Sequence, residues 1–192
     1  NASASIITLG VGNDVIALSS AVAVDKIVFS GAAATNTLTV AANGVDAITG
    51  FGSTDTLNLA ALGDATANAS TVFVNSAATK RTMTDTAVQV LTTDGTAASI
   101  TTSGSATLAV ADYTAVTITN VAAFLNEGYA AAGTTGAEAG AFVINDANTD
   151  LTYVYNFINT ATAATIVAGD IALVGTIDNG GTDLVAANIV FS

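Results

Sequence analysis

The sequence contains no cysteine, no proline and no histidine, and each absence narrows its chemistry. Without cysteine there is no disulfide framework and no thiolate nucleophile. Without histidine the chain lacks the usual general base and the commonest transition-metal ligand. Strands can run without interruption, because no proline removes a backbone N–H donor. We therefore expect no hydrolase, transferase or redox activity, no catalytic residues and no organic cofactor.

Basic residues are almost missing as well. The chain has 3 Lys and Arg residues against 15 Asp and Glu residues, which gives a formal net charge of −12. Such a chain repels the phosphates of nucleic acids and anionic membrane surfaces. It also has no apolar run of the roughly 18 residues that a transmembrane helix needs. The charge suits an exported protein or one that binds cations.

Bulky core residues are scarce. Hydrophobic residues make up 51% of the chain, but only 4 are tyrosines and 7 are phenylalanines. Small and β-branched side chains pack well in thin, regular β-structure, so an all-β fold is expected. The chain starts without methionine or a signal peptide. Its first residues already belong to the repeat described next, so we expect a fragment of a longer protein.

A short unit recurs through the first third of the chain: an Asx residue, one spacer, then a large aliphatic residue. An Asx side chain closes a turn, and the aliphatic residue shares a face with it in an extended segment. A short, nearly fixed period is typical of repeat architectures. The copies begin at Asp14, Asp25, Asn36, Asp46 and Asp55. The pattern predicts strands near residues 5–9, 15–19, 26–30, 37–41, 46–50 and 56–60.

Short strands at this spacing fit either a parallel β-roll, which is a solenoid, or a β-sandwich. The regularity of the Asx unit favours the roll. In a roll with two strands per coil, alternate repeats stack on one another. The predicted stacks are Asp14, Asn36 and Asp55 on one side and Asp25 and Asp46 on the other. The predicted internal ladders are Ile16, Leu38 and Leu57 on one side and Ile27 and Ile48 on the other.

The repeat becomes less regular after residue 62, and near residue 119 the spacing of the apolar residues changes from a strand pattern to a helical one. Further strands are predicted at residues 71–74, 87–92, 108–110 and 113–119. Apolar residues then follow at helical spacing from Val121 to Tyr129, which predicts a helix over residues 120–131. Thr119 and Asn120 offer an N-cap for that helix, and Gly133 offers a stop.

The C-terminal part is hairpin-like. Strands are predicted at residues 141–144, 151–157 and 171–177, and a turn at residues 178–181. Tyr153, Tyr155 and Phe157 alternate, so they share one face, which we expect to lie in the core. The expected organisation is a repeat region over residues 1–118 and a cap with one helix over residues 119–192.

Three stretches carry a family resemblance. The run from Gly10 to Ile16 resembles the glycine-rich nonapeptide of calcium-binding β-rolls, with Leu9 in place of the first glycine. The run from Gly44 to Leu59 is similar to the segment Gly-x-Asp-x-Ile-x-Asp-Phe followed by Asp-x-Leu-Asp-Leu, with Gly50 and Asn58 in place of two acids. The ending from residue 141 onward resembles an uncleaved C-terminal export signal.

Together these stretches resemble the C-terminal region of RTX-related bacterial surface proteins exported by type I secretion, including S-layer proteins. The resemblance implies an extracellular location at the bacterial cell surface and calcium in the repeats. It also implies a structural protein that assembles into a lattice with itself or anchors to the cell, with the secretion machinery as a partner. The alternative is an adhesin module that recognises a protein or a glycan such as cell-surface polysaccharide.

Calcium is the metal that these loops would suit. It takes several oxygens from carboxylates and backbone carbonyls, and glycines permit the loop geometry that aims carbonyls inward. The first candidate ligand group is Gly10, Gly12, Asn13, Asp14 and Asn36. The second is Gly44, Asp46, Gly52 and Asp55. The alternative is that these Asx residues only close turns, and the same choice applies to the Asp146 to Asp150 turn.

Overall fold

The computed structural model describes residues 3–18, 23–30, 44–63, 71–74, 81–83, 87–92, 118–131, 138–146, 149–159 and 162–191. Within these ranges the chain is mostly β-structure with one short α-helix, as predicted. The strands form two large sheets and one two-stranded sheet.

The first sheet is entirely parallel. Its strands, in spatial order, are β1 (Ile6–Thr8), β3 (Lys26–Val28), β5 (Thr56–Asn58) and β13 (Ile189–Val190). One aliphatic side chain from each strand stands directly opposite the next. This ladder is Ile7, Ile27, Leu57 and Ile189.

The second sheet is mixed. Its strands are β2 (Val15–Ala17), β4 (Asp46–Thr49), β6 (Thr71–Val74), β8 (Ala87–Thr92), β10 (Ala139–Asp146), β11 (Leu151–Ile158) and β12 (Ile171–Asp178). Their spatial order is β2-β4-β12-β11-β10-β8-β6, with antiparallel pairing only around β11. Ile16, Ile48 and Ile177 form its ladder.

Consecutive strands from β1 to β5 alternate between the two large sheets, and their ladders face each other across a shared core. Ile27, Ile48 and Leu57 are each at most 1% exposed in this core. The Phe29 ring also lies in this core and packs against Gly175 of β12, which has no side chain. A Cβ built on Gly175 would lie 2.8 Å from the Phe29 ring, so this close packing requires glycine.

A second core covers the other face of the mixed sheet. It contains helix α1 (Ile118–Gly128), whose Leu125 is fully buried, and the ring of Phe142. The Phe142 ring packs edge-on against Tyr129 and Phe157, with centroids 5.1 Å and 5.8 Å away. The predicted aromatic face of β11 is confirmed as core, because Tyr153, Tyr155 and Phe157 are all buried here. No helix in the described ranges is long and apolar enough to cross a membrane.

The strands at residues 71–74 and 87–92 and the C-terminal hairpin are confirmed. The helix begins at Ile118, so Thr119 and Asn120 lie inside it and the predicted N-cap is wrong. It ends at Gly128, because Tyr129–Ala130 (β9) pairs with Arg81–Thr82 (β7) in the small parallel sheet. Residues 118 and 119, predicted as the end of a strand, are helical. The strands predicted at residues 37–41 and 108–110 lie outside the described residues.

The predicted stacking order is wrong by one repeat. β2 pairs with β4 and β3 pairs with β5, so Asp14 stacks with Asp46 and Asp25 stacks with Asp55. The prediction counted a repeat headed by Asn36, which lies outside the described residues. β3 and β4 lie on opposite sheets. Counting one more repeat between them assigned β4 and β5 each to the wrong sheet.

The ladders change in the same way. Ile16 stands opposite Ile48, and Ile27 stands opposite Leu57, which exchanges the partners that the sequence predicted. The boundary between residues 1–118 and 119–192 stays a prediction. Strands from the predicted cap nevertheless continue both sheets of the repeat, since β12 pairs with β4 and β13 pairs with β5.

Candidate metal site

Aspartates at the heads of the strands close the turns that precede them. The Gly10 N–H donates to Oδ2 of Asp14 at 2.9 Å, and the Gly52 N–H donates to Oδ2 of Asp55 at 2.7 Å. The same closure recurs near the C-terminus, where Asp170 accepts the Val167 N–H at 2.8 Å. The Asx unit that the sequence shows is therefore a turn device that feeds a short strand.

Carboxylate oxygens of Asp25, Asp46 and Asp55 reach the neighbouring strand. The Asp14 N–H donates to Oδ1 of Asp46 at 2.9 Å, and the Asp25 N–H donates to Oδ1 of Asp55 at 2.8 Å. Asp25 in turn accepts the Ser5 N–H at 2.8 Å. We call these contacts the aspartate ladders. Each one is a hydrogen bond to a charged acceptor, which is stronger than a neutral one.

The glycines bring two of these turns into direct contact. Gly44 has a φ of 72°, and a Cβ built on it would lie 2.1 Å from the Gly12 carbonyl oxygen. The Val45 N–H donates to Oδ1 of Asn13 at 2.9 Å. The turns before β2 and β4 therefore stack with their backbones touching. This arrangement gathers six predicted ligands in one corner: Gly10, Gly12, Asn13, Asp14, Gly44 and Asp46.

Asp46 is the electrostatically strained member of that corner. Its side chain is 3% exposed, and burial raises the pKa of its carboxyl. The hydrogen bond from the Asp14 N–H lowers the pKa of Asp46, and the nearby Asp14 charge raises it again. Two carboxylates thus repel each other at this corner.

The corner has oxygens to spare for a cation. In the described part of the chain, Oδ2 of Asp46 and Oδ1 of Asp14 accept no hydrogen bond, because each carboxylate uses only its other oxygen. These two oxygens and the Gly12 carbonyl are hard ligands of the kind that calcium takes. The described ranges hold no group of three or more acidic side chains that could bind a metal. The corner therefore offers at most two carboxylates to a cation.

The other predicted ligands lie elsewhere. Gly52 and Asp55 form their own turn at the head of β5. Both oxygens of Asp55 already accept backbone N–H groups, so this carboxylate has no oxygen left for a cation. Asn36 lies outside the described residues. We therefore place the candidate site on Asp14 and Asp46.

Three further acids line a single cavity beside the turn between β10 and β11. Asp146, Asp150 and Asp183 line a cavity of about 460 Å³ together with Asn179. Asp146 accepts the Thr149 hydroxyl at 2.7 Å, which closes the hairpin turn. The sequence predicted the turn from Asp146 to Asp150. It did not predict that this turn lies close to the turn after β12, because that proximity depends on the pairing of β11 with β12.

Buried asparagines tie distant segments together, and the sequence analysis missed them. Nδ2 of Asn188 donates to the carbonyls of Ser53 and Asp55 at 3.0 Å and 2.9 Å. Oδ1 of Asn188 accepts the Val185 N–H at 2.9 Å. The C-terminal segment is thus fastened to the turn that carries Asp55. No local pattern around Asn188 signals this contact.

Comparison of the chain with protein-family models, with curated proteins and with solved structures found no match. The functional argument consequently rests on the residues of this chain.

Proposed function

We propose that this chain is an extracellular structural region of a bacterial surface layer, which assembles with itself and is stabilised by calcium. The observation that carries the proposal is the pair of aspartate ladders. In these ladders the charged residues of the repeat join neighbouring strands, which is a structural role.

The finer architecture that we propose is a short parallel β-roll. Three observations support it: consecutive strands from β1 to β5 alternate between two sheets, the neighbours within each group are parallel, and their aliphatic side chains stand in register. β-Sandwiches are usually built from antiparallel sheets instead. In a roll each turn buries its apolar face only against its neighbours, so stacking supplies the stability.

Calcium is proposed at the corner formed by Asp14 and Asp46. Its charge would neutralise two carboxylates at a corner where burial, and after it the nearby Asp14 charge, raises the pKa of Asp46. The ion would be held by the spare oxygens of the two side chains and by backbone carbonyls of the glycine turns. Because Asp46 holds the head of β2 and Asp14 closes the turn before it, the metal would stabilise the fold and perform no reaction.

A structural role fits the way the acids are used. The buried aspartates of the repeat accept backbone N–H groups, so they act as acceptors in a framework. We accordingly propose that the chain is no enzyme.

We also propose that the segment from residue 141 onward directs type I export. This rests on its resemblance to an export signal. The test is to fuse residues 119–192 to a reporter protein in a host that carries a type I exporter. Reporter in the medium supports the proposal, and retention of the reporter in cells with a working exporter overturns it.

Assembly is tested by moving the purified chain from chelator into millimolar calcium. We expect light scattering to rise and ordered sheets or filaments to be visible by electron microscopy, and chelator should reverse both. Magnesium at the same concentration is the control and should act weakly, since it demands tighter octahedral geometry. A chain that stays monomeric in calcium but binds a glycan would favour the adhesin alternative instead.

A further inference from the structure

We propose that Asn179 is a modification site: its side-chain amide deamidates by reaction with the Gly180 nitrogen, and the product unfastens residues 184–190. We call these residues the C-terminal segment. The reaction needs water and no second protein. The inference goes beyond the proposed function, because it depends on neither calcium nor assembly.

The turn after β12 presents the backbone nitrogen that the reaction needs. An Asn-Gly pair occurs twice in the sequence, at residues 43–44 and 179–180, and Asn43 lies outside the described residues. Gly180 is exposed, and a Cβ built on it would meet nothing within 4 Å. Because glycine adds no side chain beside its nitrogen, that nitrogen can approach the Asn179 side chain closely.

The chemistry is an internal exchange of nitrogen atoms followed by hydrolysis. Oδ1 of Asp178 accepts the Gly180 N–H at 3.1 Å, so an acceptor already lies on the proton that the nitrogen must lose. When the turn opens locally, the Gly180 nitrogen bonds to Cγ of Asn179. The Cγ–Nδ2 bond breaks, and ammonia leaves with the proton. Water then opens the resulting succinimide to a carboxylate, which belongs to aspartate or isoaspartate.

The contacts of Asn179 belong to a chain of buried hydrogen bonds with a fixed direction. Its Oδ1 accepts the Gly181 N–H at 3.2 Å, and its Nδ2 donates to Oγ1 of Thr152 at 2.9 Å. The Thr152 hydroxyl in turn donates to Oδ1 of Asn145 at 2.7 Å. That atom of Asn145 must be the oxygen, because it also accepts the Leu184 N–H at 3.0 Å. Backbone N–H donors therefore fix the polarity at both ends.

A carboxylate at position 179 breaks this chain of bonds. It replaces the Nδ2 donor with an acceptor oxygen. The Thr152 hydroxyl then has a single proton between two oxygens, one at position 179 and one on Asn145. Thr152 and Asn145 are both 0% exposed, so the oxygen that loses the proton is buried without it, which is costly. The new charge also lies in the cavity that three acids already line, and like charges repel.

The damage passes directly to the C-terminal segment. The Asn145 side chain holds both backbone groups of Leu184, because its Nδ2 also donates to the Leu184 carbonyl at 2.8 Å. Leu184 begins the segment that carries Asn188 and strand β13, which pairs with β5. A disturbed Asn145 therefore loosens the start of the segment that lies along β5. Because hydrolysis of the succinimide does not restore the amide, the change is irreversible.

The first test is whether the folded chain is modified. The folded chain and the chain in urea are incubated at mildly alkaline pH, and peptide mass spectrometry locates deamidation and isoaspartate. We expect conversion at Asn179 in both, and slower conversion in the folded chain, because hydrogen bonds hold the amide while the turn is closed. Separate peptides distinguish this site from Asn43. An intact Asn179 in the folded chain, when the chain in urea is fully converted, would overturn the site.

The second test is whether the product unfastens the C-terminal segment. Hydrogen exchange of residues 184–190 is compared in the unmodified chain, in Asn179→Asp and in the control Asn58→Asp. Asn58 is 9% exposed, and its Oδ1 accepts the Ala60 N–H at 3.0 Å, a bond that an aspartate keeps. We expect exchange to be faster by about ten-fold or more in Asn179→Asp, and the control to match the unmodified chain.

A deamidated fraction of the unmodified chain covers the case in which Asn179→Asp does not fold. That fraction folded before it was modified, and ion exchange separates it by its extra charge. Its C-terminal segment should exchange faster than that of the intact fraction. Equal exchange of the two fractions, or equal exchange in Asn179→Asp and Asn58→Asp, would show that the hydrogen-bond chain does not control the segment.

Discussion

The backbone N–H of Asp14 donates to the carboxylate of Asp46 at 2.9 Å, between residues at the heads of two stacked strands. Asp25 and Asp55 repeat the relationship on the other sheet at 2.8 Å. Asp46 and Asp55 therefore each do two jobs, since each heads its own strand and accepts the N–H at the head of the strand beside it. The first pair differs from the second because its two carboxylates retain free oxygens and repel each other.

Two substitutions at Asp46 separate the hydrogen bond from the charge. Asp46→Asn keeps an oxygen for the Asp14 N–H and removes the repulsion, so without calcium its free energy of unfolding should stay within about 1 kcal/mol of the unmodified chain. Asp46→Ala leaves that N–H without its charged acceptor and should cost about 1.5 to 3 kcal/mol. Urea unfolding measures both. Equal losses in the two variants would show that the acceptor does not matter.

The raised pKa of Asp46 sets the sign of a pH effect. Its folded pKa lies above the ordinary value of 3.8, so the folded state holds this proton more tightly than the unfolded state. Protonation therefore favours folding, and the contribution grows as the pH falls from neutral through the folded pKa towards 3.8. The other carboxylates titrate too, so the measurement is the difference between the unmodified chain and Asp46→Asn in chelator. We expect the unmodified chain to gain on the variant as the pH falls, and a constant difference would contradict the argument.

Gly44 and Gly180 distinguish close packing from backbone strain. Both have a positive φ, of 72° and 60°, but a Cβ on Gly180 meets nothing within 4 Å. Gly180→Ala should therefore cost only the left-handed conformation, about 1 to 2 kcal/mol. Gly44→Ala also drives a Cβ into the Gly12 carbonyl, so we expect a further loss of about 1 to 3 kcal/mol. Thermal unfolding compares them, and equal melting temperatures would mean that the stacked turns are not in contact.

Asn188 should be as important as any aspartate of the repeat. Asn188→Ala removes three hydrogen bonds, two to the Asp55 turn and one to Val185, and should cost about 2 to 4 kcal/mol. Asn188→Asp keeps the acceptor for Val185 but turns an oxygen towards two carbonyls, so it should be at least as harmful. Denaturant unfolding of both variants checks this. A neutral Asn188→Asp would show that the tether to Ser53 and Asp55 contributes nothing.

The local units could be predicted from the sequence, because an Asx turn followed by an aliphatic residue is decided within a few residues. The order of stacking could not. β1 and β3 pair residues 20 positions apart, whereas Asp14 and Asp46 are 32 apart and Asp25 and Asp55 are 30 apart. A count of repeats cannot tell which strand crosses to which sheet when the steps are unequal.

The site was predicted in part for the same reason. The ligands between Gly10 and Asp14 are close in sequence, so their proximity could be predicted. The approach of Gly44 and Asp46 depends on the pairing of β2 with β4. Asn188 reaches residues more than 130 positions away, and nothing in its neighbourhood encodes that contact. The helix boundary was missed because Thr119 and Asn120 look like a cap but lie in the first turn.

The measurement that tests the account most directly is a thermal melt in millimolar calcium and in chelator. Calcium bound only by the folded chain should stabilise it by about 2.7 kcal/mol at a hundred times the dissociation constant, so the melting temperature should rise. Asp14→Ala, which removes a charge and one spare ligand oxygen from the corner, should shrink the rise, and magnesium should reproduce little of it. A melting temperature that is the same in calcium and in chelator would contradict the account, because the aspartates would then only close turns and hold strands.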